Sequence, residues 1–250
     1  MAEQVVTPPR VPMVRYRNAG GGYAESRLER VDEDVLLNGA PVREFRWFKG
    51  RRFYSGWYWS STTSGLVAYE SRLELARILL ADFDPAVTAI AAQPFLLSGL
   101  DGGRVRRHVP DLLLRSVSGL VTVVDVKPSR LVDDSDVRAV FRWTERLVAS
   151  RGWAFEVWSH ADATVVENVR FLAGYRRRST VESGVLDLAR ELAARCRTIG
   201  ELELAMQPRA VAAMVRPAIL HLLWIGALHA DLRTPLAAGT LIRVVEGVVR

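Results

Sequence analysis

Three acids and one lysine in the middle of the chain have types and spacing suited to chemistry: Glu74, Asp111, Asp125 and Lys127. Asp111 lies in an apolar stretch ahead of a tight connection at 116–119, and Asp125 lies in the stretch after it. If these stretches form a hairpin closed by a three- or five-residue loop, Asp111 directly opposes Asp125; a four-residue loop displaces the match by one residue. Opposed residues have Cβ atoms roughly 5 Å apart, and like charges there are destabilising. An uncompensated charge in an apolar strand costs several kcal/mol besides. A divalent cation with oxygen ligands offsets that cost, and two or three carboxylates are what Mg2+ takes. Lys127, two residues beyond Asp125, falls on the same strand face by alternation. Its ammonium can there orient or deprotonate a water, or stabilise negative charge developing at phosphorus. Glu74 sits one connection earlier, near enough in topology to reach the sheet edge and help hold metal or water. Carboxylates, a metal and a lysine are the equipment for hydrolysing a phosphodiester.

Each residue also has a plainer reading. An Asp-Val-Lys triplet alone is a weak signal. Asp111 follows Pro110 and so fits a strand-entry residue, while Glu74 is spaced to pair with Arg77 on its own helix. Glu70, one turn before Glu74, is a rival for its role. The four histidines, His108, His160, His221 and His229, show no metal-ligand spacing and read as structural or exposed. It is the combination, in order and on suitable elements, that favours a catalytic centre.

Those elements follow from pattern. The spacing predicts a helix over 70–81, stopped at 82–85. Strands are expected over 87–97 and 105–115, joined by a turn at Asp101-Gly102-Gly103. The β-branched, almost wholly apolar run 120–127 reads as a strand covered on both faces, ended by Pro128. An amphipathic helix over 135–151 and a strand over 153–159 complete an α/β pattern with helices on the sheet faces. Upstream, residues 1–43 carry Pro8, Pro9, Pro12, Pro41 and a glycine run at 20–22, and so read as an N-terminal arm or irregular segment. Residues 44–69 crowd nine aromatics, Phe45, Trp47, Phe48, Phe53, Tyr54, Trp57, Tyr58, Trp59 and Tyr69, into short strands and turns. Arginines are interleaved at 43, 46, 51 and 52, with Lys49. They suit phosphate contact, whereas most of the rings suit a small core. Arg176-Arg177-Arg178 marks an expected boundary, so the nuclease-type domain is placed at 44–170 and a second domain at 179–250. In the latter, a helix over 185–196, a capping-box Thr198-Ile-Gly-Glu201 and a helix with Pro217 in its first turn precede two short strands. This is a winged-helix-like layout.

The order Ser71-Arg-Leu-Glu74, Gln93-Pro94, Pro110-Asp111 and Asp125-Val-Lys127-Pro128 resembles the PD-(D/E)XK nuclease superfamily. More narrowly, 69–128, with the Asp-Phe-Asp-Pro turn at 82–85, is similar to the TnsA-type endonuclease subunit of heteromeric transposases. The resemblance thins toward about residue 160, and the C-terminal region matches in layout more than in residues. It implies a restriction-endonuclease-like mixed sheet flanked by helices, and a metal-dependent DNA endonuclease that cuts one strand at each transposon end during excision. It also implies partners: double-stranded DNA, a DDE-type (TnsB-like) transposase and an AAA+ (TnsC-like) ATPase regulator. By motif, Glu74, Asp111, Asp125 and Lys127 are catalytic, and the three acids hold Mg2+, with Mn2+ as a substitute and the Val126 carbonyl as a further ligand. Some members carry Gln where this chain has Asp125.

The rest of the composition is compatible. Of 250 residues, 49% are hydrophobic and 25% charged, and the net charge of +6 favours polyanionic partners. All but two of the 34 basic residues are Arg, the lysines being Lys49 and Lys127. A single cysteine, Cys196, excludes a disulfide framework and a Cys-based zinc site. The opening residues lack a secretion-signal pattern, and no apolar run approaches the ~18 residues of a membrane-spanning helix, so a cytoplasmic protein without a membrane partner is expected. From 179 to 250 eight arginines face seven acids, a balance that suits protein docking better than DNA reading. Two other readings stand beside the transposase subunit: a stand-alone restriction or repair nuclease of the same fold, and a non-catalytic DNA-binding regulatory protein.

Overall fold

Hairpin turns and X-Pro corners, rather than long uninterrupted strands, set the architecture of the first half of the chain. The structure is a computed structural model that describes residues 11–43 and 54–245. Residues 44–53, with much of the aromatic-basic stretch, lie outside the described residues.

The described part of the segment expected to be an irregular arm, residues 11–43, contains regular structure. β1 (Met13–Arg17) and β2 (Tyr23–Arg27) form a hairpin, and the glycine run supplies its turn: Gly21 has φ +84° and Asn18 donates its N–H to the Gly22 carbonyl. A left-handed φ is what glycine permits at low cost. β1 then pairs with β6 (Leu96–Asp101), and Val14, with Leu36 of α1 (Glu33–Leu37), is fully buried in the main core. The glycines punctuate a hairpin here, not an irregular arm.

β3 (Gly56–Ser60) and β4 (Gly65–Tyr69) make a separate hairpin, in which Tyr58 is buried and Trp57 about half exposed. α2 (Arg72–Phe83) follows. The next two expected strands are each broken in two. β5 (Val87–Ala92) and β6 (Leu96–Asp101) belong to different sheets, as do β7 (Arg104–His108) and β8 (Leu112–Ser116). The breaks fall at Gln93-Pro94 and Val109-Pro110-Asp111, where proline has no N–H for a ladder. Gln93 turns the first corner at φ +46° and donates its N–H to the Asp111 carbonyl at 2.8 Å, which locks the corners together.

β9 (Val121–Val126), α4 (Ser135–Ala149) and β10 (Ala154–Trp158) lie close to where periodicity places them, and a short α3 (Ser129–Val132) that periodicity did not indicate stands between β9 and α4. One sheet has the order β10-β9-β8-β5 and is mixed, with β10 parallel to β9 and the other neighbours antiparallel. The other, β2-β1-β6-β7, is antiparallel. β9 is buried on both faces, as its continuous apolar run requires. α4 seals the core with Trp143, whose indole N–H donates to the Leu100 carbonyl at 3.2 Å. The class is α/β.

The chain divides into two compact units, 1–81 with 86–160, and 82–85 with 161–250. The second holds α5 (Ala163–Leu172), α6 (Ser183–Ala193), α7 (Ile199–Met206), α8 (Ala212–Trp224) and the short pair β11 (Leu228–His229) and β12 (Arg243–Val244). α5, assigned to the nuclease domain from sequence, groups here. Its buried Asn168 donates to the Leu232 and Thr234 carbonyls and accepts from the Leu236 N–H. Pro217 lies inside α8, not in its first turn, because the helix starts at Ala212. No helix among the described residues is long and apolar enough to cross a membrane.

Candidate active site

The β8–β9 hairpin builds the acidic centre. Its three-residue loop, closed by the Ser116 N–H to the Leu120 carbonyl and turned at Gly119 (φ +82°), sets Leu112 opposite Val124. One step further along this register stand Asp111 and Asp125. The Asp111 N–H still donates to the Val124 carbonyl at 3.1 Å, but Pro110 then takes the chain away. The Asp111 carboxylate replaces the lost backbone acceptor: its Oδ2 accepts the Val126 N–H at 2.7 Å. A proline corner thus leaves a carboxylate in the ladder, near enough to the Asp125 carboxylate for the two charges to interact.

The four expected residues form one electrostatic group. Burial pushes the Asp111 carboxyl up to about 7, and the charges of Asp125 and Glu74 push the same way; the Val126 N–H and the Lys127 ammonium oppose them. Asp125 is almost wholly buried. Lys127 is half-buried, and its backbone N–H is fixed by the Trp158 carbonyl of β10 at 2.9 Å.

Glu74 has a second role. Its Oε2 accepts the Glu70 N–H at 2.8 Å and its Oε1 the Ser71 hydroxyl at 2.9 Å, while Ser71 Oγ accepts the Glu74 N–H. The same arrangement recurs at α7, where Glu201 accepts the Arg197 N–H and Thr198 Oγ1 accepts the Glu201 N–H. These bonds are therefore helix capping. What sets Glu74 apart from Glu201 is its electrostatic reach to Asp111. Burial raises the Glu74 carboxyl, against the lowering effect of the capping bonds. The pairing of Glu74 with Arg77 does not form; Arg77 instead makes a two-point bond to Glu156, at 3.0 and 2.8 Å. Glu70, the rival acid, lies 3.6 Å from Arg43. Glu74→Gln keeps a side-chain acceptor for the cap, so its melting curve should stay near the parent's. Glu74→Ala should lose about 1 kcal/mol. Chemical denaturation of the two variants measures the capping role.

Sequence reasoning missed His108. Read as structural or exposed, it ends β7 with Nε2 at 2.8 Å from both carboxylate oxygens of Asp125. Its only sequence signal is its place just before Val109-Pro110-Asp111. His221 is structural, its Nδ1 2.6 Å from the Tyr175 carbonyl, and His160 and His229 are exposed.

Among the described residues no three His, Cys, Asp or Glu side chains converge as a preformed cation cage. The donor chemistry nevertheless fits a hard divalent ion. Glu74, Asp111 and Asp125 supply only oxygen, and their mutual repulsion calls for positive charge. The buried Gln93 side-chain oxygen, beside the Asp111 backbone, has no hydrogen-bond partner among the described residues. No family model and no curated protein matches the chain.

Proposed function

We propose that this chain is a Mg2+-dependent DNA endonuclease of restriction-endonuclease-like fold, acting as the strand-cutting subunit of a heteromeric transposase. The observation that carries this reading is the position of Asp111 and Asp125 one step beyond the Leu112–Val124 pair of the β8–β9 hairpin, with Asp125, Glu74 and Lys127 all in electrostatic reach of Asp111. Glu74, Asp111 and Asp125 would hold the ion. Such an ion supplies Lewis acidity at a phosphoryl oxygen and a water ionised near neutral pH. The protein's own groups do the rest. The Val126 N–H fixes one Asp111 oxygen, and the burial of Asp125 keeps bulk water from screening the centre. The Lys127 ammonium supplies positive charge where negative charge develops on an attacked phosphate.

The surface beside the centre suits a polyanion. Arg130 of α3 and Arg138 and Arg142 of α4 have no ion-pair partner among the described residues, and the two on α4 line a groove with Val157, the β10 partner of Asp125. Arginines so placed attract phosphate. In the second unit, by contrast, Arg209 is neutralised by Glu191 and Arg216 by Glu203. That favours the winged-helix-like unit as a protein-docking module, the contact for an ATPase regulator.

The test is strand cleavage of transposon-end and supercoiled DNA with Mg2+, with and without the neighbouring transposase. Nicking that requires Mg2+ and is lost in Lys127→Ala, with salt-sensitive DNA binding retained, is the expected result. Efficient cleavage by the chain alone would indicate a stand-alone nuclease. DNA binding without cleavage under any condition would indicate a regulatory protein.

A further inference from the structure

β7 ends on the only described group that hydrogen-bonds the Asp125 carboxylate. His108 Nε2 stands at 2.8 Å from Oδ1 and 2.8 Å from Oδ2, so the imidazole sits on the bisector of the carboxylate. That is the place a cation takes when it binds a carboxylate through both oxygens. The Asp125 side chain is 2% exposed, against 19% for His108, so the imidazole rather than solvent meets this carboxylate. We propose that His108 is a latch on the acidic centre: a positioning residue that occupies Asp125 and must be displaced before a divalent cation can use that acid.

The latch rests on the metal-centre reading above and adds a resting state to it. His108 belongs to β7, which pairs with β6 in the antiparallel sheet, whereas Asp125 belongs to the mixed sheet. Only Val109 and Pro110 separate His108 from Asp111. Moving the imidazole off Asp125 therefore pulls on the same corner that aims Asp111 at the Val126 N–H. Both acids of the hairpin respond to one displacement. A metal-free protein holds its buried carboxylate in check, and cation binding is weakened by the cost of releasing the imidazole, as for any ligand whose competent state is only partly populated.

The experiment is a calorimetric Mn2+ titration of the full chain at one fixed pH, on wild type, His108→Ala and His108→Gln, with metal-free melting temperatures alongside. His108→Ala should melt lower without metal yet bind Mn2+ several-fold more tightly, roughly 3–10-fold, because the competing group is gone. His108→Gln, whose amide nitrogen reaches the Nε2 position, should return both values toward wild type. Weaker Mn2+ binding in His108→Ala would make the imidazole a ligand, and an unchanged affinity would make the contact merely structural; either overturns the latch, as does absence of Mn2+ binding in every variant. If the alanine variant fails to fold, the 15N resonance of His108 Nε2 in wild type decides: it must shift at saturating Mg2+, and constancy overturns the proposal. Wild-type nicking separates the two readings. A chain that binds Mn2+ by displacing His108 but never cuts DNA keeps the latch and loses the nuclease.

Discussion

Asp111→Asn should abolish strand cleavage and, at the same time, stabilise the metal-free protein at alkaline pH. The Asp111 carboxyl is pushed up to about 7 in the folded protein from an ordinary value of 3.8. Between those values the folded state holds more protons on this group than the unfolded state does. The stability it contributes is fully present below 3.8 and declines as pH rises through about 7. At ~1.4 kcal/mol per pKa unit the accumulated penalty is at most about 4 kcal/mol. Asparagine carries no charge and keeps an acceptor for the Val126 N–H, so a net gain of about 1–3 kcal/mol is expected at pH 8, shrinking toward nothing near pH 4. Urea denaturation of wild type and variant across that range, in chelator, measures the difference. Nicking should fall by about 1,000-fold or more, the scale of removing a group that acts in the transition state. A variant that is more stable and inactive fits a site whose charge repulsion is retained for function. A variant destabilised at every pH would show that the Asp111 charge contributes net stability.

The second large effect lies in the core. Trp143 is 1% exposed, and Gly99 of β6 leaves room against its ring, since an added Cβ would stand 3.5 Å from Cζ2. Trp143→Ala should cost about 3–5 kcal/mol, a large share of the ~5–15 kcal/mol that holds a domain folded. Trp143→Phe keeps most of the packing but loses the N–H bond to Leu100, and should cost about 1–2 kcal/mol. Circular dichroism during thermal unfolding reads both. Because α4 also carries Arg138 and Arg142, the alanine variant should lose DNA binding along with its fold, whereas the phenylalanine variant should keep it.

What could be read from the sequence was local. Continuous apolar character placed β9, helical spacing placed α2 and α4, and the small loop at 116–119 set the register that opposes Asp111 to Asp125. What escaped was set by chain reversals that alternation does not encode. The runs 87–97 and 105–115 look like single strands, because residues either side of Gln93-Pro94 and Pro110 are equally strand-like; only the sheet switch separates them. The glycines at 20–22 suit an irregular arm and a hairpin turn alike, and burial of Val14 and Leu36 decides for the hairpin. His108 lies 17 residues from Asp125 on a strand of the other sheet, so no spacing rule joins them. The corners that hid the topology are also what assemble the site, one carrying Asp111 and the other holding the Asp111 carbonyl through the Gln93 N–H.

If Glu74, Asp111 and Asp125 serve a divalent ion beside Lys127, anomalous diffraction from crystals soaked in Mn2+ will locate it. The expected result is a manganese peak in contact with Asp111 and Asp125, with the His108 imidazole moved off the latter. Crystals that stay empty at saturating Mn2+, or manganese bound only at acids away from the β8–β9 hairpin, would contradict it.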